Sequence, residues 1–168
     1  TGGAGYIGSH TCKYLQDEGY EVVVIDNLEK GHAEALTEET KLYIGNLNDK
    51  DLLDTIFTEN EIDSVIHFAG YIEAGESMKN PLKFFDNNVA KTLPLFKAME
   101  KHKVKKIVFS SSAGVYGQPK QMPIKEESET KPTNNYGLTK LMIEQILDSL
   151  QFKSICLRYF NAAGAGYK

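Results

Sequence analysis

Thr1-Gly2-Gly3-Ala4-Gly5-Tyr6-Ile7-Gly8 opens the chain, and its reading decides the fold. Gly3-x-Gly5-x-x-Gly8 matches the pattern of a dinucleotide loop, and Gly2-x-x-Gly5-x-x-Gly8 overlaps it. A turn this tight uses backbone angles that glycine alone adopts freely, and a pyrophosphate can approach it only where no Cβ intervenes. The helix that follows aims its unpaired N–H groups and positive dipole end at the phosphates. Gly2, Gly5 and Gly8 are therefore the first predicted cofactor contacts. Such a loop needs a strand before it and a helix after it. The helix is readable from Ser9 onward, but the chain starts at Thr1 and has no room for the strand. The expectation is a piece of a longer protein whose first strand is missing.

Working outward, short β-branched runs alternate with amphipathic ones. Glu21–Asp26, Lys41–Ile44, Ser64–Phe68, Lys106–Ser110 and Ser154–Tyr159 read as strands. Ser9–Glu18, Asp51–Asn60, Pro81–Lys103 and Asn135–Leu150 read as helices, the first stopped by Gly19 and the third broken near Ala90–Pro94. The stretch from Gly117 to Thr133, with three prolines, reads as a surface loop. This alternation predicts an α/β fold, a Rossmann-like doubly wound parallel sheet with helices on both faces. Asp26 ends the next strand, 21 residues after Gly5, where an acid binds a ribose diol and repels a 2′-phosphate, favouring NAD over NADP.

Composition narrows the function classes. The 168 residues suit one domain, with 41% hydrophobic and 25% charged residues. A net charge of −4 offers no basic footprint for nucleic acid. No apolar run reaches the roughly 18 residues of a membrane span. Cys12 and Cys156 lack metal-ligand spacing and read as reduced thiols of a cytoplasmic protein, with no metal site.

Tyr136 and Lys140 share a face at the start of the last predicted helix. A phenol is a poor base at its ordinary pKa of about 10. Lowering it to about 7 requires roughly 4 kcal/mol, which one cation about 4 Å away supplies at an effective dielectric of 20. Lys140 is the predicted source of that shift, with burial of the phenol opposing it. Tyr116 and Lys120 have the same spacing, but Gly117 and Pro119 lie between them, so that pair need not share a face. Ser112, just past the fourth strand, can bond a sugar oxygen beside Tyr136, since ligands of open parallel sheets collect at the carboxyl ends of strands. No histidine–carboxylate arrangement near it points to a hydrolase.

Together these motifs resemble the extended short-chain dehydrogenase/reductase superfamily, and within it the UDP-glucose 4-epimerase family. The resemblance is carried by Thr1–Thr11, Val24–Leu28, Val65–Gly70, Gly75–Ser77, Asp86–Val89, Ser110–Gly117, Asn135–Gln145 and Leu157–Ala165. It implies reversible C4 epimerisation of a UDP-hexose, between UDP-galactose and UDP-glucose, with tightly bound NAD. Tyr136 would take the proton of the 4-hydroxyl, Lys140 would hold the ribose and depress the Tyr136 pKa, and Ser112 would position the sugar. Tyr6, Ile7, Asp26, Asn27 and Leu28 would line the adenosine and phosphates, and Phe68, Ala69, Gly70, Asn87 and Phe160 the rest of NAD. Asn161 would reach the substrate. The resemblance also implies a C-terminal substrate domain and a parent protein that is a homodimer.

Three positions depart from the family pattern. Gly45-Asn46-Leu47 stands where many members have Gly-Asp before an adenine contact, so Asn46 and Leu47 are candidate cofactor residues in a changed setting. Ile72 occupies a place where some members carry lysine, and Gly114 one that is often threonine. Other readings stay open: epimerases of UDP-N-acetylglucosamine, UDP-pentoses or UDP-uronates, a 4,6-dehydratase, or a noncatalytic NAD-binding module. Ser112-Ala113-Gly114-Val115 lacks the acidic pair a dehydratase needs.

Overall fold

The structure, a computed structural model, describes residues 1–165. Strand β1 (Val23–Asp26) pairs in parallel with β2 (Lys41–Ile44), Val23 opposite Lys41 and Asp26 opposite Ile44. Strands β3 (Ser64–His67), β4 (Lys106–Ser110) and β5 (Lys153–Leu157) form a second parallel sheet in the order β3-β4-β5. Thr1 and Gly2 lie between the two sheets and bond to both. Gly2 N–H donates to Ile25 O (2.9 Å), Phe68 N–H donates to Thr1 O (3.0 Å), and the Thr1 amino nitrogen donates to Ile66 O (2.7 Å). The predicted doubly wound sheet is therefore present as two pieces joined at the opening residues. Because every pair is parallel, Asp26, His67 and Ser110 end at one edge, where open α/β sheets bind ligands.

Helices α1 (Tyr6–Asp17), α2 (Lys50–Glu59), α3 (Ala74–Lys79), α4 (Pro81–Phe84), α5 (Leu93–Lys101) and α6 (Asn135–Ser149) flank the sheets. Their ends follow local chemistry. The Asp49 side chain caps α2 by accepting from Leu52 N–H (3.0 Å), and Asn134 caps α6 by accepting from Gly137 N–H (2.8 Å). Leu53, Ile56, Leu95, Phe96, Met99, Ile143 and Leu147 from the helices meet Ile25, Val65, Ile107 and Phe109 from the strands in one core. Each such burial contributes about 1.5–3 kcal/mol before entropy is counted.

The structure differs from the sequence expectation in the third helical region. Asn80 interrupts the helix ahead of Pro81, leaving α3 separate. After α4, Phe85–Val89 winds into a wide π turn and Ala90–Thr92 into a tight 3₁₀ turn before α5 begins. Pro94 falls in the first turn of α5, where its missing N–H needs no partner. The predicted break is thus correct in place. Its consequence is that Asn88 and Thr92 are buried. Asn88 accepts from Tyr71 N–H (2.8 Å) and donates to Tyr71 O (2.9 Å) and Thr139 Oγ1 (3.1 Å). His67 is buried between Thr1 Oγ1 (2.7 Å) and Thr92 Oγ1 (3.2 Å), and burial pushes its pKa well down, so it is neutral.

The glycine loop has almost no spare volume. A Cβ on Gly8 would lie 2.3 Å from Gly2 O and 2.7 Å from Gly3 Cα, both backbone atoms that cannot swing aside. Gly8→Ala is expected to cost about 3 kcal/mol or more of stability, beyond ordinary overpacking. Gly75→Ala, in α3 with nothing within 4 Å of the added methyl, is expected to be neutral to about 1 kcal/mol stabilising. Urea unfolding of both variants checks the contrast; equal midpoints would contradict it.

Candidate active site

A cleft opens at the carboxyl edge of the sheets, between the glycine loop, the β1 and β2 ends and the segment after β3. Gly2, Gly5, Asp26, Asn27, Asn46, Leu47, Phe68, Ala69, Gly70 and Asn87, all predicted cofactor residues, line it. Gly2 is essential to the shape: its φ is +69°, and a Cβ there would lie 2.5 Å from Ala69 N. Gly5 caps α1 without a side-chain acceptor, and the first turn holds no acidic residue. The N–H groups of Tyr6, Ile7 and Gly8 are therefore available to an anion through the backbone. This cradle fits a dinucleotide pyrophosphate. The side chain of Tyr6 goes elsewhere, its hydroxyl donating to Gly164 O (2.5 Å).

Asp26 has two tasks. Its Oδ2 accepts from Ala4 N–H (3.0 Å) in the glycine loop, and its Oδ1 accepts from Leu28 N–H (2.9 Å). Each oxygen keeps a lone pair for a ribose hydroxyl. Leu28 sits in the turn at φ 58°, a left-handed angle costly for leucine, held by that same carboxylate. Asn27 Nδ2 donates to Asn46 Oδ1 (2.8 Å), so the departure at position 46 places an amide against the β1 turn.

The sequence reading missed several residues here. Glu29, Lys30, Gly31, Tyr71 and Lys91 also line the cleft. Tyr71 Oη donates to both Glu29 oxygens (2.8 and 2.9 Å), and Lys30 Nζ pairs with Glu73 (3.0 Å), so two links cross the mouth. Burial, and after it the Glu29 carboxylate, push the Tyr71 pKa up to about 12. Position just past a strand end was the available signal for Glu29, Lys30 and Tyr71. Ser77 is another: its buried Oγ accepts from Tyr136 N–H (3.0 Å) and its carbonyl from Asn135 Nδ2 (2.9 Å), tying α3 to the first turn of α6.

Tyr136, Lys140 and Ser112 do come together. Lys140, 4% exposed, donates from Nζ to Ser110 O (2.8 Å) and lies 4.9 Å from the Phe109 ring centroid and 5.8 Å from that of Tyr136. A Cβ on Gly70 would come 3.7 Å from Nζ, so this lysine borders the cofactor cleft. Burial lowers the Lys140 pKa to about 8. The Tyr136 pKa is raised, chiefly by burial and further by Tyr159, against a lowering hydrogen bond with Ser112. Burial thus dominates at Tyr136, and the Lys140 ammonium donates to Ser110 O while its charge stays 5.8 Å from the Tyr136 ring centroid. Tyr116 and Lys120 part company, Tyr116 buried with its hydroxyl on Glu126 O (3.2 Å) and Lys120 exposed in the following loop. Phe160 is 71% exposed and Asn161 exposed, both beyond β5 and outside the cleft.

The chain is similar to known proteins along nearly its whole length. The UDP-glucose 4-epimerase of Halalkalibacterium halodurans is 55% identical over 169 residues, which are 98% of this chain and 50% of that protein. The one of Bacillus subtilis is 51% identical over 177 residues, 98% of this chain and 52% of that protein. The crystal structure of UDP-glucose 4-epimerase from Bifidobacterium longum in complex with NAD+ and UDP matches with a TM-score of 0.95 at 46% identity, covering 98% of this chain and 53% of that one. The chain spans about half the length of the curated relatives it matches. Its match to the NAD dependent epimerase/dehydratase family runs over residues 1–168, and the chain belongs to that family.

Proposed function

We propose that residues 1–168 are the NAD-binding and catalytic part of a UDP-hexose 4-epimerase whose parent continues into a C-terminal substrate domain. The reaction is reversible inversion at C4, between UDP-galactose and UDP-glucose, through a transient 4-keto sugar. The observation that carries the reading is the packing of the turn after Ser112 on the first turn of α6, where a Cβ on Gly137 would lie 2.7 Å from Gly114 O, with Lys140 behind Tyr136 at the carboxyl edge shared with the glycine cradle. The names of the relatives supply the substrate class.

In this reading Gly2, Gly5 and the N–H groups of Tyr6, Ile7 and Gly8 hold the pyrophosphate, and Asp26 the adenosine ribose. NAD, when bound, supplies the hydride acceptor and a positively charged ring. The Tyr136 phenolate takes the proton from the 4-hydroxyl, the phenol so formed later returns it, and the Ser112 hydroxyl orients that oxygen. Burial alone makes Tyr136 a weaker acid, so the phenolate depends on nearby positive charge. Lys140, 5.8 Å from the ring centroid, offers about 3 kcal/mol at an effective dielectric of 20. With a pKa of about 8 it carries that charge at neutral pH. Phe160 and Asn161 would close over cofactor and sugar in the parent. A dehydratase is disfavoured by the turn Ala113–Tyr116 after Ser112, which presents no carboxylate.

We place the parent in the cytoplasm as a homodimer. The free thiols Cys12 and Cys156 suit a reducing compartment, and among the described residues no helix is long and apolar enough to cross a membrane. The dimer rests on the family resemblance, and sedimentation of the parent tests it.

Purified parent with bound NAD is expected to convert UDP-galactose to UDP-glucose; an unchanged substrate sinks the proposal. Tyr136→Phe should lose turnover while retaining NAD, read by released nucleotide, and wild-type turnover in that variant would remove Tyr136 from the mechanism. Lys140→Met should lower turnover about 100-fold, the equivalent of about 3 kcal/mol. The same variant should be more stable at pH 7. The folded pKa of Lys140 is about 8 against an ordinary 10.5, so the unfolded chain holds the proton more tightly between those values. The burial penalty is then in full force below pH about 8 and fades as pH rises through 10.5. The stability gain should shrink from pH 7 to pH 10, and a gain that grows over that range contradicts the assignment.

A further inference from the structure

Glu144 lies on α6, two turns beyond Tyr136, with its side chain 5% exposed. It receives Arg158 as a fork: Nε lies 3.0 Å from Oε1 and 3.1 Å from Oε2, and an Nη2 bond of 2.6 Å reaches Oε2. The Ser111 hydroxyl donates to Glu144 Oε1 as well. Arg158 Nη1 continues to the Tyr116 hydroxyl (3.0 Å) and to Glu126 O (3.1 Å). One guanidinium at the end of β5 thus ties together α6, the turn after β4 and the loop beyond Gly117. The next residue repeats the stitch: Ala113 N–H donates to Tyr159 O (3.0 Å), and the Tyr159 and Ser110 hydroxyls bond.

Ser112 is the residue between these anchors. Ser111 before it is held by Glu144, and Ala113 after it by Tyr159. A buried ion pair is a poor way to glue a helix to a strand, since apolar side chains of similar volume often do as well or better once desolvation is counted. What the pair does offer is direction, because a bidentate fork fixes angle as well as distance.

We infer that Glu144 and Arg158 are positioning residues that set the Ser112 hydroxyl against the Tyr136 phenol, with Ser111 as the link. Neither touches the reacting atoms. The inference rests on the proposed epimerase reading, so its test has a readout that does not need turnover. In the NAD-loaded protein, the ionisation midpoint of Tyr136 is followed by tyrosinate absorbance, as the difference from Tyr136→Phe. The Ser112 oxygen accepts from Gly114 N–H (3.0 Å), which leaves its hydrogen to donate to the phenolate; such a bond favours the ionised form, so a displaced Ser112 should raise the midpoint. Ser111→Ala, which keeps the ion pair and hence the fold, should raise it by about 1 pH unit, a tenfold change in ionisation. Glu144→Gln and Arg158→Lys should do at least as much. In the parent these variants should lose up to about 100-fold in kcat, with the KM for the UDP-sugar within about twofold and bound NAD unchanged, as a misplacement near 1 Å does. An unmoved midpoint in folded Ser111→Ala overturns the inference even if the wild-type parent turns over UDP-galactose. A wild-type parent without turnover sinks the epimerase reading while the titration still decides the positioning role.

Discussion

Three hydrogen bonds at Thr1 and Gly2 join the two sheets, and the arrangement of the site depends on them. They set the end of β1, with Asp26, beside the end of β3, with Phe68 to Gly70. The residues that complete the sheet also open the phosphate cradle, because Gly2 packs against Ala69 with no room for a side chain. Sheet continuity and cofactor geometry are thus one requirement. A ligand that binds this cradle stabilises the folded chain by mass action, and does so at the seam between the two sheets.

Charge is distributed with equal economy around the proton-transferring phenol. Lys140 is buried with a backbone carbonyl and two aromatic faces for company. A carboxylate partner would make that lysine more comfortable and would quench the field it projects toward Tyr136. The acid that is present on the same helix, Glu144, is instead committed to Arg158 and Ser111. Among the described residues Lys140 is the buried lysine and has no carboxylate partner, whereas the buried carboxylate of Glu144 is held inert by two donor residues.

Much of this was legible in the sequence. The glycine spacing, Asp26 and the Tyr136–Lys140 pair are local patterns, and the β-strands announce themselves by β-branched runs a few residues long. The decoy at Tyr116 and Lys120 was separable because Gly117 and Pro119 have a definite backbone meaning. What stayed hidden is non-local. Ser77, Asn88 and Glu144 act through partners 14 to 59 positions away, and spacing within their own segments does not give those partners. The helix from Pro81 to Lys103 was readable only as interrupted; the π turn at Phe85–Val89 that buries Asn88 is fixed by what Asn88 bonds to. The Tyr136 pKa was half legible for a related reason: spacing gives a cation on the right face and burial to oppose it, but the direction of the lysine's N–H bonds belongs to the fold.

The loop that starts at Gly117 is closed at its base. Gly117 has φ +62° and approaches Lys131 O so tightly that a Cβ there would come within 1.9 Å, while Glu126 O is held by Tyr116 and Arg158. Residues 118 to 125 therefore form a tip whose mechanical connection to the site ends at that neck. Lengthening the tip costs only the slowly growing entropy of a larger loop. The neck thus works as a strain relief, letting this stretch carry an added sequence or a label while Ser112 and Tyr136 keep their places.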